Sequence, residues 1–155
     1  EKCLEDIKKW MQEMNAEAFE QDKEHGYLRL LKLLKIDGKS IKLSLDFMQG
    51  QVMGRIEEDK VLIDRKFVES RRQSIIEIAG KNHEVFVPSY TDYLILKIAS
   101  SRPSDIRDIA ALVWRNGIPS DLNRRASEIV LSREIFSGNI KEIIKTISDS
   151  RFVDS

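Results

Sequence analysis

Apolar residues recur along this chain with two periods, and the switches between them predict its elements. Leu4, Ile7, Met11 and Met14 fall three or four positions apart and predict an amphipathic helix, with Trp10 beside the stripe. Asn15 to Gly26 is polar and poorly periodic, which predicts a loop. Further on the period drops to two. Ile41, Leu43, Leu45 and Phe47 alternate with Lys42, Ser44 and Asp46, the mark of a half-buried strand. Asp37-Gly38 stands just before that strand, and a type I′ hairpin turn needs positive φ at both central positions. The turn pairs Tyr27–Ile36 with Lys39–Phe47. With Ile36 opposite Lys39, Leu34 faces Ile41, Leu30 faces Leu45 and Leu28 faces Phe47, while Arg29 falls opposite Asp46. Leu31 and Leu33 sit on the other face, so the first strand is expected to be covered on both sides. Taken alone, Tyr27–Lys35 also fits a leucine-rich helix; the Asp-Gly turn and the strand after it decide for the hairpin.

Glu57 to Arg72 mixes charge with Ile63, Phe67 and Val68 and predicts a short helix. A second hairpin follows, Ser74–Ala79 and His83–Val87 joined by Gly80-Lys81-Asn82, and Pro88 ends it. The remainder reads as helices. Ser89 precedes Asp92 by three, a capping box with Asp in the Glu position, ahead of the apolar face Leu94, Ile95, Ile98 and Ala99. Ser104 is placed to cap the next helix, with Asp105 and Asp108 in its first turns and Ile106, Ile109, Ala110 and Val113 as its stripe. Gly117 and Pro119 stop it. Ser120 starts a third helix that runs to about Phe136 and ends at Gly138. Ile140, Ile143, Ile144 and Ile147 mark a fourth. Strands first and helices after define an α+β fold: an antiparallel mixed sheet of hairpins followed by a C-terminal helical region.

Composition narrows the function. The 155 residues suit one domain, and 41% hydrophobic content supports a core. Lys and Arg number 26 and Asp and Glu 26, so bulk electrostatic attraction to a polyanion is not expected, although a local basic groove is compatible. Cys3 is the only cysteine, which excludes an internal disulfide and a cysteine-based zinc site. It has no local base motif that would make it a nucleophile. The lone cysteine makes a reducing cytoplasm the expected compartment, and with no signal-peptide pattern and no long apolar run no membrane partner is expected. His25 and His83 lack ligand-like spacing, and no dinucleotide fingerprint or P-loop is present. Arg71-Arg72 and Arg124-Arg125 read as solvated surface rather than as a nucleic-acid contact.

Three constellations could carry chemistry. Asp46, on the polar face of its strand, could bind a divalent metal in a cleft or pair with Arg29 or Lys42 at the surface. Asp92 and Lys97 are five apart and so do not form a helix ion pair; Lys97 is a cation near a phosphate or carboxylate, or a solvated side chain. Lys97, Arg102, Asp105 and Asp108 could form one buried ionic network that fixes the angle between two helices, or simple caps with exposed ion pairs.

The stretch Val87-Pro-Ser-Tyr-Thr-Asp-Tyr-Leu-Ile-Leu-Lys97, followed by Arg102-Pro-Ser-Asp105 and Asp108-Ile109 with Leu112, resembles a segment of the nucleotidyltransferase superfamily. It is most similar to the minimal nucleotidyltransferase-like proteins of bacteria and archaea, a group that includes AbiEii-type toxins. Leu45-Asp46-Phe47 resembles the family strand bearing the third metal carboxylate. The resemblance covers about residues 1–115 and is specific over 85–112.

It implies residues 1–88 as a partial nucleotidyltransferase-like α/β core and 89–155 as a helical region packed on it, together one structural unit. It implies catalytic roles for Asp46 and Lys97, metal binding by Asp46, and nucleotide contacts from Arg29, Lys97 and Arg102. Asp92, Asp105 and Asp108 would form the structural network. The implied cofactor is Mg2+, the substrate an NTP, and the acceptor RNA or a protein. The family's Gly-Ser turn and Asp-x-Asp pair are absent from this sequence, and Ser104 stands where the family has Lys. The chain opens Glu-Lys-Cys rather than with Met, so either its start was processed or it begins inside a longer protein, and with one carboxylate for two metals it is expected to be inactive by itself. The alternatives are a non-catalytic binding or regulatory subunit of the same fold, with a toxin, an antitoxin or RNA as partner, and an interaction domain whose helices after Ser120 form a homodimer surface.

Overall fold

The structure, a computed structural model, describes residues 9, 12–13, 17–22, 27–54, 56, 58–78 and 80–149. It is α+β, with small antiparallel sheets and helices. Among the described residues the strands form three separate sheets, β1-β2-β3, β4-β5 and β6-β7, instead of one. The chain parts into two compact units, residues 1–50 and 51–155. The predicted helix Leu4–Met14 lies outside the described residues except for Lys9, Gln12 and Glu13, which are helical and exposed.

The first unit contains β1 (Glu17–Asp22), β2 (Tyr27–Ile36) and β3 (Lys39–Met48). Asp37 and Gly38 have φ of 50° and 75°, as the type I′ turn requires. The register follows from that turn: Ile36 opposes Lys39, Leu34 opposes Ile41, Leu28 opposes Phe47 and Arg29 opposes Asp46. Leu28 and Leu30 are buried, but burial fades toward the turn, where Ile41 is exposed. Leu33 is 73% exposed, so the second face of β2 is not covered along its length as expected. The stretch expected to be a loop instead supplies β1, which pairs antiparallel with β2 across a bulge between Ala18 and Glu20. It has no apolar alternation because the ladder is made by backbone groups, which any side chain can accompany.

In the second unit, β4 (Gln51–Met53) pairs with β5 (Lys60–Leu62), and α1 (Arg65–Glu69) follows. The helix expected over Glu57–Arg72 is therefore confined to one short turn region. Val61 explains the difference. Fully buried, it pairs with Val52 and forms a bridge to Val130, so this segment is extended to reach the core. The second hairpin, β6 (Arg72–Ile78) and β7 (Lys81–Val87), is longer than expected at its turn end. Ile78 opposes Lys81, and Gly80 at φ 76° permits the tighter turn.

Four helices complete the unit: α2 (Tyr90–Ser100), α3 (Pro103–Asn116), α4 (Leu122–Ile129) and α5 (Arg133–Ser148). The central one is α2, whose Leu94, Ile95, Ile98 and Ala99 join Val61, Ile106, Ile109, Ile129 and Ile143 in one core. Burying each large aliphatic side chain there contributes about 1.5–3 kcal/mol. Ser89 caps α2, accepting from the Asp92 N–H at 3.2 Å. Ser101 ends it in the left-handed region, φ 43°, with its N–H on the Lys97 carbonyl.

Two helix boundaries differ from expectation. Pro103 occupies the first position of α3, which places Ser104 inside the helix; Asp105 caps instead, accepting from the Arg102 N–H at 3.2 Å. The helix expected over 120–136 stops at Ile129. Val130 bridges to Val61 and the Leu131 N–H donates to the Lys60 carbonyl, so the chain is extended there. Ser132 then caps α5, and Gly138 lies within α5 rather than ending a helix.

Candidate functional site

Asp46 projects from β3 beside its cross-strand neighbour Arg29. Arg29 Nε donates to Asp46 Oδ1 at 2.7 Å and Nη2 to Oδ2 at 3.2 Å; the Tyr27 hydroxyl also donates to Oδ1, at 3.2 Å. The guanidinium carbon lies 5.7 Å from the Tyr27 ring centre. Both carboxylate oxygens thus face a bidentate arginine, at a site about one-third exposed.

Lys97 and Arg102 belong to the second unit. Lys97 Nζ donates to Asp105 at 2.8 Å and to Asp108 at 2.7 Å, and lies 5.6 Å from the Tyr93 ring centre. Burial works against the lysine's charge, but the bonds to Asp105 and Asp108 outweigh it and hold its pKa above the ordinary value. Burial likewise pushes the Asp105 carboxyl up, and Lys97 and the Arg102 N–H bring it below the usual range. The exposed Arg102 joins this cluster through its backbone. The cluster bolts the end of α2 to the start of α3.

Asp92 is not part of that cluster. It is 1% exposed and accepts from the Ser70 hydroxyl at 2.9 Å, the Ser89 hydroxyl at 2.8 Å and Arg125 Nε at 2.7 Å. Arg125, expected at the surface, is 2% exposed. Its other nitrogens form a fork on Asp64 at 2.8 and 2.9 Å, and Nη1 reaches Glu128 at 3.2 Å. The fork holds the Asp64 carboxyl down at about pH 2 against the opposing effect of burial, and Asp64 in turn accepts from the Phe67 N–H at the start of α1. Lys66 and then Arg125 lower the Glu128 carboxyl. One guanidinium therefore ties α4 to α1 and α2. Its signal in the sequence was positional, since Leu122, Arg125, Ala126 and Ile129 share one helix face. The neighbouring Arg124 is exposed, and Arg71 stacks on Phe86 at 4.4 Å.

A third buried carboxylate, Asp59, was missed because its segment was read as helical. It is fully buried and accepts from the Asn139 side chain at 3.1 Å, while its backbone carbonyl accepts from the Gly54 N–H.

Among the described residues, no group of three or more His, Cys, Asp or Glu side chains could hold a metal ion, and no helix is long and apolar enough to cross a membrane. Magnesium prefers near-octahedral oxygen coordination. Asp46 held by Arg29 does not by itself make such a site. No family model, curated protein or solved structure matches the chain.

Proposed function

We propose that the chain is part of a nucleotidyltransferase-like protein which, when intact, transfers a nucleotidyl group from an NTP to an RNA or protein acceptor with Mg2+, and that this polypeptide alone is inactive. The observation that supports the reading is the coherence of residues 87–112. The residues carrying the family resemblance there have joint roles: Pro88 ends β7, Ser89 caps α2, and Lys97 joins Asp105 and Asp108 across the α2–α3 turn. In this reading Lys97 is a positioning residue that fixes the helix pair, Asp46 offers one carboxylate toward the metals, and Arg29 and Arg102 supply positive charge for phosphates. A two-metal transfer requires further carboxylates.

The test is incorporation of α-labelled NTP with Mg2+ and RNA as acceptor, by this polypeptide and by the product of the full reading frame. Transfer is expected only from the full product and is expected to disappear in its Asp46→Asn variant. Robust transfer by this polypeptide, or by the Asp46→Asn full product, overturns the reading.

A second reading is a non-catalytic binding or regulatory subunit of the same fold, with a toxin–antitoxin type partner, acting in the cytoplasm. An open apolar groove of about 710 Å³ lined by Leu94, Ile98, Val113, Trp114 and Ile144 favours it. Calorimetry separates the two: NTP binding that weakens on Arg29→Gln supports the transferase reading, and its absence from the full product supports the subunit.

A further inference from the structure

The β6–β7 hairpin is a two-stranded sheet, and among the described residues no third strand pairs with either of its edges. Two strands by themselves are marginal in water. This pair also exposes large apolar side chains. Ile75 is 67% and Phe86 54% exposed on one face, and Ile76 and Val87 are exposed on the other. An open edge that carries exposed apolar residues is a template for another strand.

The turn decides what each edge offers. Ile78 opposes Lys81 across two residues, so that pair exchanges backbone hydrogen bonds, as does every second pair beyond it, down to Arg72 with Val87. The residues between them turn their N–H and C=O groups outward: Gln73, Ile75 and Glu77 at the β6 edge, Asn82, Glu84 and Phe86 at the β7 edge. Laid antiparallel against its own copy about the middle residue, the β7 edge sets Glu84 against Glu84, and like charges directly opposite are unfavourable. The β6 edge instead sets Ile75 against Ile75 and, on either side, the Gln73 amide against the Glu77 carboxylate, a donor against an acceptor. No other antiparallel register pairs all three outward residues of both β6 strands. Arg71 lies on the same face, stacked on Phe86, and comes diagonal to Glu77 of the second copy, within reach of a long side chain. Glu84, the other acid of that face, stands beyond Ile75 on β7, away from the contact. On the opposite face Ser74 falls opposite Ile76 and Arg72 opposite Ile78, so no like charges meet.

We propose that two copies of this chain pair through β6, antiparallel about Ile75, into one four-stranded sheet in the order β7-β6-β6-β7. Each of the three outward pairs then exchanges two backbone hydrogen bonds. The contact is isologous and closes on itself, and the edges it leaves outside are the β7 edges, whose central Glu84 opposes further addition of copies. The inference does not depend on nucleotidyl transfer.

The experiment uses the whole chain. Sedimentation equilibrium is expected to show a concentration-dependent dimer. Ile75→Lys sets two like charges on the symmetry axis and is expected to weaken the dimer about ten-fold or more. Glu84→Lys, at the outer β7 edge, is expected to leave it unchanged. Both positions are exposed, and urea midpoints taken at one low concentration separate lost pairing from lost folding. Crosslinking reads the register without relying on those variants. In a Cys3→Ser background, Ile75→Cys is expected to join its own copy through a short bis-maleimide. Glu84→Cys is expected not to, since the two positions 84 stand three strand spacings apart, roughly 14 Å. A strict monomer at every concentration overturns the proposal, whatever other strand the edge then takes. So does a dimer that a folded Ile75→Lys variant leaves intact, or crosslinking at position 84 in place of 75.

Discussion

Arg125 and Asp92 meet at 2.7 Å with side chains only 3% and 2% exposed, so a full ion pair sits inside the helical core. Such a pair adds little net stability over a well-packed apolar substitute, but losing one partner strands the other charge. Arg125→Met is therefore expected to destabilise by about 3–5 kcal/mol, since it leaves Asp92 buried without its cation. Urea denaturation of the variant measures it. A loss below about 1 kcal/mol would show that Ser70 and Ser89 alone satisfy Asp92.

The Lys97 cluster should respond unequally at its three members. Asp105 has a side chain 9% exposed, whereas that of Asp108 is 51% exposed. Lys97→Met is expected to cost roughly 2–3 kcal/mol because Asp105 loses its cation in a dry site, and Asp108→Asn less than about 1 kcal/mol. Asp46→Asn, at the one-third exposed pair with Arg29, is likewise expected below about 1 kcal/mol. Denaturation midpoints give the ranking, and a larger loss for Asp108→Asn than for Lys97→Met would reverse this account of the cluster.

Acid should loosen the fold at the Arg125 network. The Asp64 carboxyl ordinarily titrates at 3.8 and is held at about 2 when folded. A lowered folded value stabilises above the unfolded pKa, and that contribution disappears as pH falls through the folded one. Stability is thus expected to fall between about pH 4 and pH 2, with Asp105 and Glu128 contributing in the same direction. Lys97 is raised, so its contribution is full below 10.5 and is lost at more alkaline pH. Urea midpoints at several pH values test this; Asp64→Asn should flatten the acid limb, and an unchanged limb would place the loss elsewhere.

Two glycines should respond oppositely to alanine. A Cβ on Gly54 would stand 2.5 Å from Asp59 Oδ2 and 2.7 Å from the Ala99 carbonyl oxygen. Gly54→Ala is expected to cost about 1–3 kcal/mol through forced displacement of buried groups. A Cβ on Gly138 meets nothing within 4 Å, on an exposed face of α5. Gly138→Ala is expected to add about 0.5–1 kcal/mol by restricting the unfolded chain and favouring helix. Thermal unfolding of both variants gives the signs directly.

The register of the β2–β3 hairpin was legible, including Arg29 opposite Asp46, because a two-residue turn and a period of two fix register locally; only the last pair, Tyr27 with Met48, lay beyond the expected strand. The Lys97, Asp105 and Asp108 cluster was legible for a related reason: its members lie within 12 consecutive residues on either side of one short turn. Periodicity together with the Asp37-Gly38 turn thus determined the α+β class, the first hairpin and most of the apolar helix faces. Tertiary structure decided the rest. It made β1 a strand by pairing backbone to β2, and it ended α4 at Val130 by a bridge to Val61. It buried Arg125 by bringing up Asp92 and Asp64, 33 and 61 residues away. A helix face records that a position points inward, but whether a charge can stay there depends on which distant groups packing delivers to neutralise it.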